Sequence, residues 1–281
     1  MKYQLVFLLK KIITIPVNIL GKTKIGRMFF SIIVENARRR SQSVAHMGLV
    51  LRFAVPNQLT QWRADSFENK EPETLEWIDK MIEGSVVWDI GANVGLYSCY
   101  AAKQRLCKVI AFEPSVFNLE LLARNIVYNG LTKQITIIPL PLSDSMATSM
   151  LNMTSMEWGG AMSTFDKSFG HDGETMVNIF EYQTIGISIA NAVDFLGIPQ
   201  PDYIKMDVDG IEHLILKGGM QVLAKTKSVL IEINDQFLTQ AVEARQCLMQ
   251  AGFSLDQKRH ADCFDNSTTA AKYTFNQIWS K

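Results

Sequence analysis

Short apolar runs alternate with helical stretches through the middle of this chain. Val86-Val87-Trp88 leads into a glycine-containing turn and then a helical stretch through Lys103. Lys108-Val109-Ile110-Ala111-Phe112 is a second run, followed by a helix over residues 118–128. Residues 134–139, 203–206 and 228–233 give three more runs, with a helical stretch near residues 212–223 between the last two. Unbroken apolar runs of this length suit strands buried on both faces. Their alternation with helices predicts a parallel sheet covered on both sides. Residues 253–258 and 273–279 predict two further strands that form an antiparallel edge. Residues 145–190 lack any such period and are rich in Met, Ser, Thr and Gly. They predict hairpins or a lid inserted into the sheet order.

The first part of the chain is patterned differently. Residues 3–15 place Leu5, Leu8, Leu9, Ile12 and Ile13 at helical spacing, with Lys10 and Lys11 on the other side and Pro16 after them. The lysines break the apolar run, which is too short to span a bilayer. It also lacks a small-residue cleavage site, which argues against a signal peptide. Two readings stay open: a helix lying on anionic lipid, or a helix packed on the main domain or a second copy. Residues 41–84 read as a mixed connector ending in a helix over residues 72–81. Glu71, Glu73 and Glu76 near its start suit the positive end of that helix. The expected organisation is a basic, partly helical extension over residues 1–71 and one α/β domain over residues 72–281.

Composition narrows this. Of 281 residues, 47% are apolar and 20% charged, ordinary for a globular chain long enough to bury a full core. The net charge of zero is uneven. Residues 1–40 hold nine Lys or Arg and one acid, net +8, which leaves −8 for the body. A basic arm suggests an anionic partner for the arm, and an acidic body opposes nucleic-acid binding. Cys99, Cys107, Cys247 and Cys263 contain no C-x-x-C pair or zinc-like spacing. They are expected as free thiols in a reducing compartment, hence a cytoplasmic protein; contact with the inner membrane face through residues 1–40 belongs to the lipid reading of the first helix, one of the two left open.

The chemistry is expected around Asp89-Ile90-Gly91-Ala92-Asn93-Val94-Gly95. A strand ending in an acid, then two glycines, then a helix lets backbone approach a ligand closely. Ligands of open α/β sheets bind at the carboxyl ends of the strands. The dinucleotide fingerprint G-x-G-x-x-G fails here, because Asn93 and Leu96 stand where its second and third glycines belong. Asp89 would also repel a phosphate. It suits a ligand with a cationic amino group, such as S-adenosylmethionine, which has no phosphate. Glu113 closes the next strand, 24 residues later, where a carboxylate can accept both ribose hydroxyls.

The chain resembles the FkbM family of methyltransferases over roughly residues 72–281. Phe112-Glu113-Pro114, Asn118, Leu122, Asn125 and Asn129 match its F-E-P-x-x-x-N-x-x-x-L-x-x-N-x-x-x-N run. Leu142-Ser143-Asp144 resembles its L-S-D turn, and Lys205-Met206-Asp207-Val208-Asp209-Gly210-Ile211-Glu212 its K-x-D-V-E-G-x-E signature, followed by Leu216-Lys217-Gly218. Ile231-Glu232 and Asn276-Gln277-Ile278-Trp279 resemble its last strands. Two positions depart: Asp209 replaces the family's usual Glu, and Asn234-Asp235 stands where a His is common. The resemblance implies a class I, Rossmann-like methyltransferase fold with a seven-stranded, mostly parallel sheet. It implies S-adenosylmethionine held by Asp89, Gly91, Asn93, Gly95, Glu113, Pro114, Ser143 and Asp144, with Asp144 beside the adenine amine. A local turn role for Asp144 stays open.

Methyl transfer needs an aligned acceptor and, for a hydroxyl, a base. Asp207 or Glu212 is the expected base or acceptor orienter. The alternative is structural: Asp207 ordering its loop and Glu212 capping the following helix. Of His46, His171, His213 and His260, His171 in Phe169-Gly170-His171-Asp172-Gly173 is the best placed to face substrate, while for each the stronger expectation is a surface or satisfied core histidine. Trp158-Gly159-Gly160 sits where a lid would, and its Trp could stack on a ring. Asp207 with Asn234 and Asp235 could also hold Mg²⁺, so a divalent metal stays an alternative. The expected acceptor is a hydroxyl of a sugar, glycolipid or secondary metabolite. Transfer to an amine or carboxylate, or a non-catalytic cofactor-binding module, are the alternatives. No N/D-P-P-Y/F motif of base-methylating enzymes is present.

Overall fold

The computed structural model describes residues 12, 14, 16–260, 264 and 270–281. Of the helix expected over residues 3–15 only residues 12 and 14, both helical, are among those described, and Cys263 is not; Cys99, Cys107 and Cys247 are buried and free.

The apolar runs form one seven-stranded sheet. Its strands are β3 (Val86–Ile90), β4 (Lys108–Phe112), β5 (Ile135–Ile138), β10 (Tyr203–Met206), β11 (Ser228–Asn234), β12 (Ser254–Arg259) and β13 (Thr274–Ser280). The order is β12-β13-β11-β10-β3-β4-β5. The five central strands are mutually parallel. β13 runs antiparallel between β11 and β12. This is the class I methyltransferase order, with the antiparallel strand one place inside the edge. The chain reverses at β10 beside β3, and such a reversal opens a crevice at the strand ends.

Successive strand residues serve opposite layers, as the pleat requires. Trp88, Ile90, Ile110, Phe112, Ile204 and Met206 join one core cluster. Val87, Val109, Ala111, Tyr203 and Leu230 join the other. Helices α4 (Leu96–Gln104) and α5 (Val116–Tyr128) cover the second face with α3 (Pro72–Asp79). The first face is covered by α6 (Ile189–Asp194), α7 (Glu212–Lys217), α8 (Met220–Leu223) and α9 (Leu238–Gln250). The helix expected near residues 212–223 is two helices, broken at Gly218-Gly219. A Cβ on Gly218 would stand 2.7 Å from the Asp144 carbonyl oxygen, and one on Gly219 2.6 Å from Ile189 Cβ. Close packing excludes a larger residue at either position, and the two glycines also weaken the helix there.

The stretch expected as a connector is more ordered than its sequence reading. β1 (Ser41–His46) and β2 (Leu49–Ala54) form a hairpin with a two-residue turn at Met47-Gly48. Both turn residues have positive φ, which matches the twist of the strands. Leu51 and Phe53 alternate with exposed Val50 and Arg52 and enter the core with Phe67. α2 (Gln58–Asp65) follows, with Asn57 and Thr60 in a reciprocal cap. The irregular region forms a smaller sheet, order β6-β9-β7-β8, from β6 (Leu142–Ser143), β7 (Ala147–Met153), β8 (Ser163–Phe165) and β9 (Phe180–Ser188).

One helix stands apart. α1 (Lys24–Arg38) buries only Gly26. Arg38 pairs with Glu120 at 2.5 Å, and Arg124 donates to the Arg38 carbonyl at 2.9 Å, which fixes its end to α5. No described helix is long and apolar enough to cross a membrane.

Candidate functional site

The loop after β3 forms the floor of the site. Gly91 has φ of +82°, and a Cβ there would lie 1.9 Å from the Asp207 carbonyl oxygen. Only glycine lets the β3 and β10 loops meet this closely. Gly91 and Ala92 donate their backbone N–H to the Phe112 carbonyl, each at 3.0 Å. Gly95, also at positive φ, starts α4, and a Cβ there would sit 2.3 Å from Leu122 Cδ1. The turn is thus pinned between its two neighbouring strand ends.

Asp89 is buried and takes the Ser98 hydroxyl on Oδ2 at 2.5 Å. Its Oδ1 is buried with no partner. Burial raises its pKa, against the pull of Lys205. Register places Lys205 directly beside Asp89 across β10 and β3. Lys205 is itself buried and lies 3.3 Å from Asp207 Oδ2. Its ammonium is held charged by Asp207, Asp89 and Glu71, which outweigh the desolvation that opposes the charge. An ammonium of a ligand would complete the open valence on Asp89.

Glu113 is buried at the end of β4. Its Oε2 accepts from Asn93 N and its Oε1 from Ser115 N, each at 2.7 Å. Burial pushes the carboxyl up to about 7 despite those bonds. Each oxygen keeps a lone pair for a hydroxyl donor, so a vicinal diol fits here. Pro114 lines the same cleft, and its carbonyl accepts the Tyr182 hydroxyl of the small sheet.

A strap over residues 158–161 closes the cleft from above. Asn118 Nδ2 donates to the Gly160 carbonyl at 3.0 Å, and its Oδ1 accepts Gly159 N at 3.0 Å. Asn93, with φ of +52°, also donates to the Gly160 carbonyl, at 2.8 Å. Asn57 donates to the Trp158 carbonyl and Arg63 Nε to the Gly159 carbonyl. Trp158 does not face the cleft; it packs against Ala54, Val94 and Leu121. Ser143 and Asp144 also lie off the cleft lining. Asp144 is exposed and accepts from the Ser143 and Ser145 hydroxyls, and Leu140, Pro141 and Leu142 supply that wall.

The β10 end gathers carboxylates in two different states. Asp207 is half-buried and faces the cleft. Glu212 is turned away, almost fully buried, and accepts from Val208 N at 3.0 Å, Gly210 N and Gln240 Nε2. Burial pushes it up to about 7. It does not cap the following helix, whose N-cap Ile211 has no side-chain cap bond; Glu212 instead ties the preceding loop together. Asp209, at φ of +63°, accepts from Met162 N and Ser163 N and so ties the strap to this loop. Burial, then repulsion from Asp207, lifts it to about 6. Glu232 rises well above its ordinary range through burial and repulsion from Asp207.

Asp209 and Glu232 also border an adjoining lobe with Lys70, His171, His260 and Asn276. His171 thus lies beside the cleft. His213 is buried against Phe237, and His46 pairs with Glu68. Asp235 is bound by Lys258 at 2.5 Å, Asn234 Oδ1 takes Gln236 N, and neither residue lines the cleft with Asp207. Among the described residues no cluster of three His, Cys, Asp or Glu could hold a metal ion.

Sequence reading missed Arg63, Ser66 and Lys70, which line the cleft from the segment read as a connector. No period marked them. Lys205 did carry a signal, since a lone lysine inside the apolar run Tyr203-Ile204-Lys205-Met206 needs a buried counter-charge.

The chain is similar to known methyltransferases. The family described as the methyltransferase FkbM domain matches residues 89–255, which runs from the acid of the floor loop into β12. Hexuronic acid methyltransferase AglP of Haloferax volcanii is 26% identical over 213 residues, 75% of this chain and 82% of that protein. Solved structures align at a lower level. A precorrin-6y methyltransferase of Geobacter metallireducens is 13% identical with a TM-score of 0.44, over 75% of this chain and 86% of that one. An rRNA methylase of Streptococcus thermophilus is 13% identical with a TM-score of 0.45, over 74% and 94%. The match starts at Asp89 and takes in Glu113 and the whole Asp207–Glu212 loop, so the chain belongs to the FkbM-domain methyltransferases.

Proposed function

We propose that this enzyme transfers a methyl group from S-adenosylmethionine to a hydroxyl of a sugar, with hexuronic-acid glycans as the acceptor class. The observation that carries the reading is one cleft with two chemically distinct parts. One part offers an unpartnered carboxylate oxygen on Asp89 and a diol-compatible carboxyl on Glu113. These residue types fit an amino group and a ribose and would repel phosphate. The adjoining part offers Asp209, Glu232, His171 and Asn276, a polar lining suited to a polyhydroxylated acceptor. The similarity to a hexuronic acid methyltransferase supports the acceptor class.

When bound, the cofactor supplies a methyl carbon already activated by its sulfonium. Asp89 would hold the amino group, Glu113 the ribose, and Gly91, Asn93 and Gly95 would keep the floor open. Asp207 stands at the β10 end, in the lining shared by the floor loop and the cleft. In this reading it orients the acceptor hydroxyl and takes its proton. Lys205, 3.3 Å away, fixes that carboxylate. Glu212 shapes the loop by accepting two of its backbone N–H groups. The strap excludes water. Residues 41–71 belong to the functional unit in this reading, because Arg63 and Lys70 wall the cleft. No step is assigned to a metal.

α1 supports a second part of the reading, contact with an anionic membrane. Ile25, Met28, Phe29, Ile32 and Ile33 are 46–78% exposed along it, beside Lys22, Lys24 and Arg27. Apolar residues with flanking cations suit the interface of anionic lipid. Flotation with vesicles of anionic and of neutral lipid checks this, and binding that ignores lipid charge would refute it.

Incubation with methyl-labelled S-adenosylmethionine and uronic-acid saccharides tests the main reading. Label should enter the saccharide with wild-type protein and be lost with Asp207→Asn. Absence of cofactor binding by calorimetry would reject it.

A further inference from the structure

The part of the cleft around Asp89 carries complementary charge on a second wall. That wall comes from residues 63–71, which precede the matched family region. Arg63, Ser66 and Lys70 line the same lobe as Asp89, Gly91, Asn93 and Gly95. Arg63 is anchored through Nε to the Gly159 carbonyl at 2.8 Å. Among the described residues its two terminal amino groups make no hydrogen bond, so the donor face of the guanidinium is spare. Ser66 Oγ is buried and has no hydrogen-bond partner at all. A buried hydroxyl without a partner is destabilising, so an unsatisfied one in a cleft wall points to a ligand atom. Lys70 is paired to Glu71 at 2.6 Å, which leaves Arg63 as the cation without a local counter-ion.

The lobe therefore holds an orphaned carboxylate oxygen from the sheet and an orphaned hydroxyl with a spare guanidinium from the 63–66 segment. That is the complement of an amino-acid zwitterion. We propose that Arg63 and Ser66 bind the α-carboxylate of the cofactor's methionine moiety, while Asp89 takes its ammonium. This rests on the S-adenosylmethionine reading above. It makes the segment before the matched region a part of the cofactor site. Arg63 also couples the two: the same side chain that grips the carboxylate fixes the strap at Gly159.

Calorimetry with three ligands separates the possibilities: S-adenosylhomocysteine, its decarboxylated analogue, which keeps the amine, and 5′-methylthioadenosine, which lacks both groups. Wild type should bind S-adenosylhomocysteine more tightly than the decarboxylated analogue. Arg63→Gln should weaken S-adenosylhomocysteine by about 10–100-fold, the range of a charged hydrogen bond. The decarboxylated analogue should lose several-fold less than this, its remaining loss coming from the strap that Arg63 also anchors at Gly159. Ser66→Ala, which leaves Gly159 untouched, should weaken S-adenosylhomocysteine by about 3–10-fold with the same selectivity. Equal loss for all three ligands, or no loss, would overturn the proposal. If wild type binds none of the three, the cofactor reading itself fails, and this assignment with it.

Discussion

Asn118→Ala tests the clamp that holds the strap over the cleft. The side chain is 3% exposed and makes two hydrogen bonds to consecutive residues, Gly159 N and the Gly160 carbonyl. Removing it leaves Gly160 with the Asn93 bond at 2.8 Å, but leaves Gly159 N with no other acceptor. Two net bonds at about 1 kcal/mol each, plus the cost of a stranded buried N–H, give about 2–4 kcal/mol. The melting temperature should fall by roughly 5–10 °C. The loss should be local first. Hydrogen exchange should speed up at residues 157–161 before the central strands change, because the strap is held to the domain largely by side-chain hydrogen bonds from Asn57, Arg63, Asn93 and Asn118 and not by a strand ladder. Affinity for S-adenosylhomocysteine should fall with it, since the strap walls the ribose end beside Glu113. Unchanged exchange at residues 157–161 with a melting temperature within about 1 °C would refute the clamp.

Stability should rise as pH falls from 8 towards 5 in the ligand-free protein. Glu113 and Glu212 are raised from 4.5 to about 7 and Asp209 from 3.8 to about 6, so the folded state binds their protons more tightly than the unfolded chain. Their stabilisation is fully present below about 4 and is lost as pH rises through 6 to 7, by at most about 3 kcal/mol for each Glu. Melting curves across that range check it; a flat profile, or the same slope in Glu113→Gln, contradicts it. Gly91→Ala should fail to fold or melt far lower, because its Cβ would stand 1.9 Å from the Asp207 carbonyl oxygen. Near-normal melting would show that the β3 and β10 loops do not pack as described. Asp207→Asn should lower kcat by about 10²–10⁴-fold with little change in melting temperature. Glu212→Gln should act mainly on stability, because it loses an acceptor for the Val208 and Gly210 N–H groups. The reverse pattern would exchange their roles.

The sheet was legible because each central strand is a short, mostly apolar run, and such runs have few alternative environments. The floor loop was legible because Gly91 and Gly95 both sit at positive φ, Gly91 against the Asp207 backbone and Gly95 against the Leu122 side chain, where a Cβ would clash. The hairpin at residues 41–54 was harder to see. Its period-two signal covers only Leu49 to Ala54, and Met47-Gly48 is an unusual turn pair. Arg63, Ser66 and Lys70 could not be read from sequence, since their value comes from a fold that brings α2 against the β3 loop. Asp207 and Glu212 share one motif and similar chemistry, and only orientation separates them. Glu212 is turned into its own loop and towards Gln240, while Asp207 faces the cleft. Trp158 shows the same limit: its position in the strap was readable, but its direction was set by the Ala54, Val94 and Leu121 cluster.

The most direct test of the account is the chemical form of the transferred methyl group. Protein, carbon-13 methyl-labelled S-adenosylmethionine and a hexuronic-acid oligosaccharide would be incubated, and the product followed by NMR before and after mild base. The account predicts a methyl ether on a sugar hydroxyl, stable to base and absent with Asp207→Asn. A base-labile methyl ester, or no transfer to the saccharide from a protein that binds the cofactor, would contradict it.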